Sequence, residues 1–106
     1  MARALIKAPA KATRGSVIEI KTLISHVMET GFRYTHKGEL VPRDIVTAFT
    51  ATYNGEEVFR ARLHPAIAAN PFITFHTVAT ESGTIELKWT GDNGFSATEQ
   101  IRITVE

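Results

Sequence analysis

Alternation of apolar and polar residues with a period of two runs along most of this sequence, and it limits the fold more than any other feature. In SVIEIKTLIS (residues 16–25) the isoleucines share one face of an extended chain, whereas Glu19 and Lys21 share the other. Residues 84–90 and the closing residues 101–106 alternate in the same way. Because successive side chains of a β-strand point to opposite faces, this pattern predicts a series of half-buried strands.

Turn signals separate these segments at short intervals. Asn54-Gly55 is a strong signal for a two-residue β-hairpin, and GDNG (residues 91–94) precedes the last strand. About seven short strands spaced in this way predict an all-β fold, an immunoglobulin-like antiparallel β-sandwich. A chain of 106 residues suits one domain better than two, so we expect residues 1–106 to form a single domain.

Some segments also indicate where a strand lies in its sheet. ALIKA (residues 4–8) is short and precedes a proline, which suits an edge strand. IVTAFTATY (residues 45–53) and FITFHTVAT (residues 72–80) are rich in β-branched and aromatic residues and less clearly two-sided, which favours central strands. HPAIAANP (residues 64–71) is the helical candidate, and its two prolines limit it to a single turn.

The composition excludes several kinds of chemistry. With no cysteine, the chain has no disulfide, thiolate metal ligand or cysteine nucleophile. It contains no P-loop, GxGxxG, HExxH or GxSxG motif, and the adjacent Glu56 and Glu57 point to opposite faces of a strand. A net charge of +1 argues against nucleic acid as the main partner. We therefore expect a binding or scaffold domain that has no catalytic residues and needs no cofactor.

No apolar run reaches the roughly 18 residues that cross a bilayer, so no membrane contact is expected. The first residues lack the apolar core of a secretory signal. The basic residues before the first acidic one are more typical of a solvated end than of an anion-binding segment; they are Arg3, Lys7, Lys11 and Arg14.

The segment from His26 to Arg43 interrupts the alternation. It contains two glycines and a proline, yet it carries too many apolar residues for a disordered loop. Loops longer than ~12–15 residues in compact domains are usually functional or disordered. Two interpretations remain open: a surface for protein contact, or a loop folded over the end of the sandwich with Phe32 buried.

Two residues in this segment raise a metal-binding alternative. His26 and Met28 lie two apart, so in an extended segment they face the same way. Imidazole and thioether groups are both ligands for copper, although the absence of cysteine excludes a blue-copper centre. The other histidines show no established metal motif, and a satisfied histidine beside a gap-filling methionine is the commoner arrangement. We therefore predict no metal site and keep a copper-binding sandwich as the alternative.

Several short stretches resemble one known family. HVMETGFR, VPRDIV, YNGEEVFRARL, AANPFITF, SGTIELKWTGDNG and IRITV are similar, in this order, to the Z subunits of the bacterial thiosulfate-oxidising SoxYZ carrier complex. The similarity runs from about Lys7 to the end of the chain, and Val27 stands where the family has a proline.

The resemblance implies a function. A Z subunit is the non-catalytic partner of a Y subunit, whose C-terminal Gly-Gly-Cys-Gly-Gly motif carries sulfur intermediates between periplasmic enzymes. It would form a heterodimer with this cysteine-bearing subunit and make transient contacts with the other enzymes of the pathway. The Y subunit bears the export signal, so this chain would be exported with it to the periplasm.

The matching motifs also supply candidate residues. Asn54 and Gly55 are expected to form a hairpin, and Phe59 is expected in the core. The candidates for contact with the partner are His26, Met28, Phe32, Arg33, Tyr34, Asn70 and Phe72.

Overall fold

The computed structural model describes residues 4–64, 67 and 69–106. The strands among them are β1 (Ala4–Lys7), β2 (Lys11–Ala12), β3 (Val17–Ile24), β4 (Val46–Tyr53), β5 (Glu56–Arg62), β6 (Phe72–Val78), β7 (Gly83–Gly91) and β8 (Ser96–Val105). A single 3-10 turn, Asp92–Gly94, joins β7 to β8. They form a three-stranded sheet in the order β1-β3-β6 and a five-stranded sheet in the order β2-β8-β7-β4-β5. The predicted all-β, immunoglobulin-like sandwich is thus confirmed.

The core lies between the two sheets, where the alternating apolar side chains meet. In the five-stranded sheet the rings of Phe49 and Trp89 are fully buried with centroids 5.1 Å apart. Phe59, on the edge strand β5, is partly buried, and its ring stacks on that of Phe75 from β6 with centroids 4.9 Å apart. This pair joins the two sheets along one side of the sandwich. β3 contributes the fully or nearly buried Ile18, Ile20, Thr22 and Ile24.

The sheet order tests the predicted strand positions. β1 lies at an edge and β4 lies inside its sheet, as predicted. The prediction that FITFHTVAT forms a central strand is wrong, because β6 has β3 as its single neighbour. Its aromatic and β-branched content reflects packing on the core, into which Phe75 points. The two-residue β2 is an additional strand beyond the predicted number, and it pairs with β8 in parallel.

Asn54-Gly55 connects β4 to β5 with a two-residue turn, in which φ is 50° at Asn54 and 85° at Gly55. The Asn54 side chain also binds the end of the β6–β7 connection and the start of β7. Its Oδ1 accepts the Thr84 N–H at 3.0 Å, and its Nδ2 donates to the Ser82 carbonyl at 3.4 Å. A Cβ on Gly83 would lie 1.8 Å from Asn54 Oδ1, so only glycine leaves room for this contact.

The helical turn expected over residues 64–71 includes residues 65, 66 and 68, which lie outside the described residues, as does Arg3. Within the part of the chain that the structure describes, no helix is long and apolar enough to cross a membrane.

Candidate contact surface

The segment that interrupts the alternation forms a two-stranded antiparallel ribbon, residues 29–44. Isolated β-bridges join Glu29 to Asp44 near its base and Tyr34 to Leu40 near its tip. Among the described residues, the backbone groups of residues 33–41 that form hydrogen bonds outside the regular strands bond to one another within the ribbon. The molecule measures 60 × 20 × 20 Å. Its long dimension exceeds the length of its longest strand, because β8 with 10 residues spans only about 34 Å at the usual rise per residue.

The base of the ribbon is held by a bidentate ion pair. Arg43 donates from Nε to Asp92 Oδ2 at 2.7 Å and from Nη2 to Asp92 Oδ1 at 2.8 Å. The Ile45 N–H donates to the same carboxylate at 3.2 Å, and the Asp92 N–H donates to the Ile45 carbonyl at 2.9 Å. The hydrogen bonds from Arg43 lower the pKa of Asp92 below its ordinary value. Gly31 lies against Arg43 with φ of 87°, and a Cβ there would approach the Arg43 Cβ to 2.9 Å.

A second ion pair lies within the ribbon. Arg33 donates from Nε and Nη2 to Glu29 Oε1 at 3.1 and 2.7 Å. These hydrogen bonds lower the pKa of Glu29 and raise that of Arg33. The guanidinium remains largely exposed, so the predicted contact residue Arg33 lies at the surface with a partner in its own chain.

His26 turns inward at the end of β3. Its side chain is 7% exposed, and the edge of its ring packs against Phe95 with centroids 4.7 Å apart. The His26 N–H donates to the Asn70 side chain at 2.8 Å, and the Asn70 N–H donates to the His26 carbonyl at 2.7 Å. The structure therefore brings His26 and Asn70 together, but as a contact between two loops within this chain.

The Met28 sulfur and one of the two ring nitrogens of His26 are engaged by the backbone, whereas the other ring nitrogen, Nε2, lies 3.6 Å from Asp44 Oδ1. His26 Nδ1 accepts the Met28 N–H at 3.0 Å, and the Met28 sulfur accepts the Val46 N–H at 3.2 Å. Met28 is buried in the core, so this predicted contact residue is not at the surface. Among the described residues, no three His, Cys, Asp or Glu side chains are grouped closely enough to hold a metal ion.

The remaining predicted contact residues are exposed. Phe32 is 77% exposed, so the interpretation that buries it against the end of the sandwich does not hold. Tyr34 and Phe72 are also exposed. Phe72 belongs to a row of cross-strand neighbours in the three-stranded sheet. Leu5 of β1 lies opposite Leu23 of β3, and Leu23 lies opposite Phe72 of β6. We call these three residues the sheet row.

Sequence reasoning missed the residues that support the ribbon from the β7–β8 connection. Asp92 belongs to a glycine-rich turn motif, and its sequence gives no sign of an ion pair with Arg43, 49 residues earlier. Phe95, which covers His26, is likewise far from it in sequence. Such contacts depend on which loops the sandwich brings to the same end, and local patterns carry no information about that.

Comparisons with known proteins agree on family and fold. The family model described as "Sulphur oxidation protein SoxZ" matches residues 6–102. No curated protein sequence matches the chain significantly. Among solved structures, the superoxide reductase (neelaredoxin) from Ignicoccus hospitalis is similar with a TM-score of 0.76 and 16% identity, over 97% of this chain and 80% of that one. The sulfur carrier protein SoxY from Chlorobium limicola f thiosulfatophilum is similar with a TM-score of 0.67 and 13% identity, over 96% and 74% of the two chains. At these identities the structural likeness shows the fold alone.

Proposed function

The chain belongs to the SoxZ family of sulphur oxidation proteins, and on that premise we propose that it is the non-catalytic subunit of a heterodimeric sulfur carrier. Its partner would be a SoxY-like subunit whose C-terminal cysteine holds the sulfur intermediates of thiosulfate oxidation. The observation that carries the proposal is the family match across residues 6–102 in a chain that has no cysteine.

The chemistry of the cargo supports this division of roles. A thiosulfate-derived group is carried covalently through an S–S bond, which a cysteine can form and a thioether cannot. Met28 is buried with its sulfur hydrogen-bonded, and this chain has no thiol. The cargo therefore has to reside on the partner, while this domain anchors and presents the partner's carrier segment.

A permanent heterodimer also requires apolar surface on each subunit. Obligate interfaces generally bury more than ~2,000 Å² in total and are more apolar than transient ones. Exposed large apolar residues on this chain include Leu5, Val27, Phe32, Tyr34, Leu40 and Phe72. They supply candidates for such an interface and for briefer contacts with other Sox enzymes.

The compartment follows from the same proposal. The sulfur-oxidising enzymes that meet the carrier act in the periplasm, so we place this chain there as well. Export would occur together with the signal-bearing partner. Fractionation of cells that express both subunits, with and without the partner's signal, tests this placement directly: without that signal, the chain should stay in the cytoplasm.

The copper-binding alternative is disfavoured by geometry. The Met28 sulfur accepts the Val46 N–H within the core, so copper would have to displace that hydrogen bond to reach it, and His26 Nε2 lies 3.6 Å from Asp44 Oδ1. Anaerobic titration with Cu(I) should give no stoichiometric site. A site that disappears in both His26→Ala and Met28→Ala would restore the alternative.

The proposed function is tested by following the sulfur. The complex with the SoxY-like partner is incubated with thiosulfate and the oxidising enzymes of the pathway, and the intact mass of each subunit is then measured. This chain should keep its mass, apart from oxygen addition at Met1 or Met28, while the partner gains a sulfonate-bearing adduct. A partner variant with serine in place of the carrier cysteine is the control. An adduct on this chain that a thiol reductant removes would contradict the proposal.

A further inference from the structure

One face of the ribbon is apolar and uncovered. The bridge between Tyr34 and Leu40 sets the register, so alternation places Phe32 and Pro42 on the same face as that pair. All four residues are exposed. We call Phe32, Tyr34, Leu40 and Pro42 the apolar face of the ribbon.

The two arginines of the ribbon are held in ion pairs away from this face. Arg33 falls on the opposite face by alternation and is paired with Glu29, while Arg43 is paired with Asp92 at the base. The centres of protein interfaces are depleted in charge and enriched in aromatic residues, and both properties apply to the apolar face.

The fold holds the ribbon in place without covering it. A two-stranded hairpin alone is marginally stable in water. Here the close contact of Gly31 with Arg43 and the bidentate Arg43–Asp92 pair fix its base on the β7–β8 connection. A binding element that is ordered before it meets its partner loses less conformational entropy on binding.

The size of the face suits the centre of a stable interface. A Phe or Tyr side chain buries ~150–250 Å² when it is fully enclosed. With Phe32 77% and Tyr34 65% exposed, these two rings offer roughly 200–350 Å², a substantial part of the ~800 Å² that each protein gives to a typical specific interface. Leu40, 53% exposed, enlarges the face.

From these observations we infer that the apolar face of the ribbon is the main contact with the cysteine-bearing partner, an inference that rests on the proposed function. The partner would cover Phe32 and Tyr34 as the anchors of the permanent interface. A protein domain suits this surface better than a small ligand does, because the four apolar residues lie exposed along a two-stranded ribbon.

The sheet row is the competing surface, and its surroundings make it the weaker candidate. On the same face of the sheet, the next cross-strand pair of β1 and β3 is Lys7 with Lys21, so two like charges adjoin the apolar residues. Desolvating these amines under a partner has a cost that the apolar face of the ribbon avoids. The sheet row therefore serves as the matched control.

The test compares two double variants, each of which replaces two exposed large side chains with serine. Phe32→Ser/Tyr34→Ser alters the ribbon, and Leu5→Ser/Phe72→Ser alters the sheet row. Each variant is co-expressed with the SoxY-like partner, and the two subunits are then purified. The dissociation constant between the variant and the partner is measured on these purified subunits. We expect the ribbon variant to bind at least ~100-fold more weakly, because two aromatic anchors are lost. The sheet-row variant should bind within about threefold of the unaltered chain.

A second measurement needs no variant. Amide hydrogen exchange of residues 33–41 should slow markedly when the partner binds, while exchange in β1 and β6 stays nearly unchanged.

If the unaltered chain does not bind the partner at all, the proposed function fails, and this inference fails with it. If the unaltered chain binds but the ribbon variant binds equally well, or the protection falls on β1 and β6, the proposed function stands and the inference is overturned.

Discussion

At the scale of single residues, Asp92 makes the base of the ribbon sensitive to acid. Hydrogen bonds from Arg43 lower its pKa in the folded chain, so its contribution to stability is complete above the ordinary carboxyl pKa and is lost as the pH falls through the lowered value. We expect Asp92→Asn to lower the melting temperature at pH 7, and this deficit to shrink as the pH falls below about 4. Thermal melts between pH 7 and 2 measure it. Glu39→Gln, a ribbon carboxylate with no salt bridge among the described residues, is the control. A deficit that is equal at every pH would mean that the charge of Asp92 is irrelevant.

Two phenylalanines should contribute very differently to the stability of the fold. Phe32 is exposed, so Phe32→Ala should change the free energy of unfolding by less than ~0.5 kcal/mol. Phe59 stacks on Phe75 between the sheets, so Phe59→Ala should cost about 3 kcal/mol. Urea unfolding of both variants provides the comparison. A loss of 2 kcal/mol or more in Phe32→Ala would show that the ribbon packs on the sandwich in solution.

His26 and Met28 mark the limit of sequence reasoning at this scale. The break in alternation correctly marked a segment outside the regular strands, but the spacing of these two residues did not predict the direction of their side chains. Met28 adopts a φ of 52°, which breaks the alternation, and its sulfur meets Val46, 18 residues later. The backbone conformation of Met28 and its contact with Val46 both depend on long-range packing, which cannot be predicted from the spacing of two residues.

At the scale of elements, the Asn54 side chain connects the β4–β5 hairpin to the start of β7. Asn54→Gly keeps the turn's backbone conformation but removes two side-chain hydrogen bonds, at a cost of about 1–3 kcal/mol. Gly83→Ala should be more destabilising, because the new methyl group would overlap the Asn54 carboxamide. Combining the changes removes that overlap, so the double variant should be more stable than the sum of the two single losses predicts. Denaturant unfolding of all four chains measures this coupling, and strict additivity would contradict the contact.

The elements also show why strand faces were easier to predict than strand neighbours. Period-two alternation identifies the buried face directly, as in β3, where Ile18 and Ile20 are buried and Glu19 is exposed. Whether a strand lies at an edge depends on pairing with distant residues. β6 has the aromatic and β-branched composition of a central strand, yet it packs on the core from the end of its sheet.

At the scale of the whole molecule, the isolated chain should self-associate. The apolar face of the ribbon, the sheet row and the free edges of β1 and β6 are all uncovered in the part of the chain that the structure describes. Uncovered apolar patches and strand edges promote association. Sedimentation velocity of the chain alone should reveal species larger than the monomer, which the SoxY-like partner replaces with a single heterodimer. A chain that stays monomeric at high concentration and ignores the partner would refute this.

The whole fold was predictable to the level of architecture. Alternation and turn spacing indicated a sandwich, whereas the division into three and five strands and the parallel pairing of β2 with β8 were not foreseen. β2 has only two residues, Lys11 and Ala12, too few to show a period.

The parallel pairing of β2 with β8 sets the order in which the chain folds. β2 precedes nearly the whole domain, yet it pairs at Thr104 and Val105 in the last strand. At ~5–20 residues per second, the ribosome needs roughly 4–17 seconds to make the segment between the two strands. Throughout that interval β2 lacks its neighbour β8, and so does β7 once it has been made, so the nascent five-stranded sheet is incomplete. Sandwiches dominated by such distant pairings also fold slowly, in milliseconds to seconds. The five-stranded sheet is therefore completed only after β8 is synthesised.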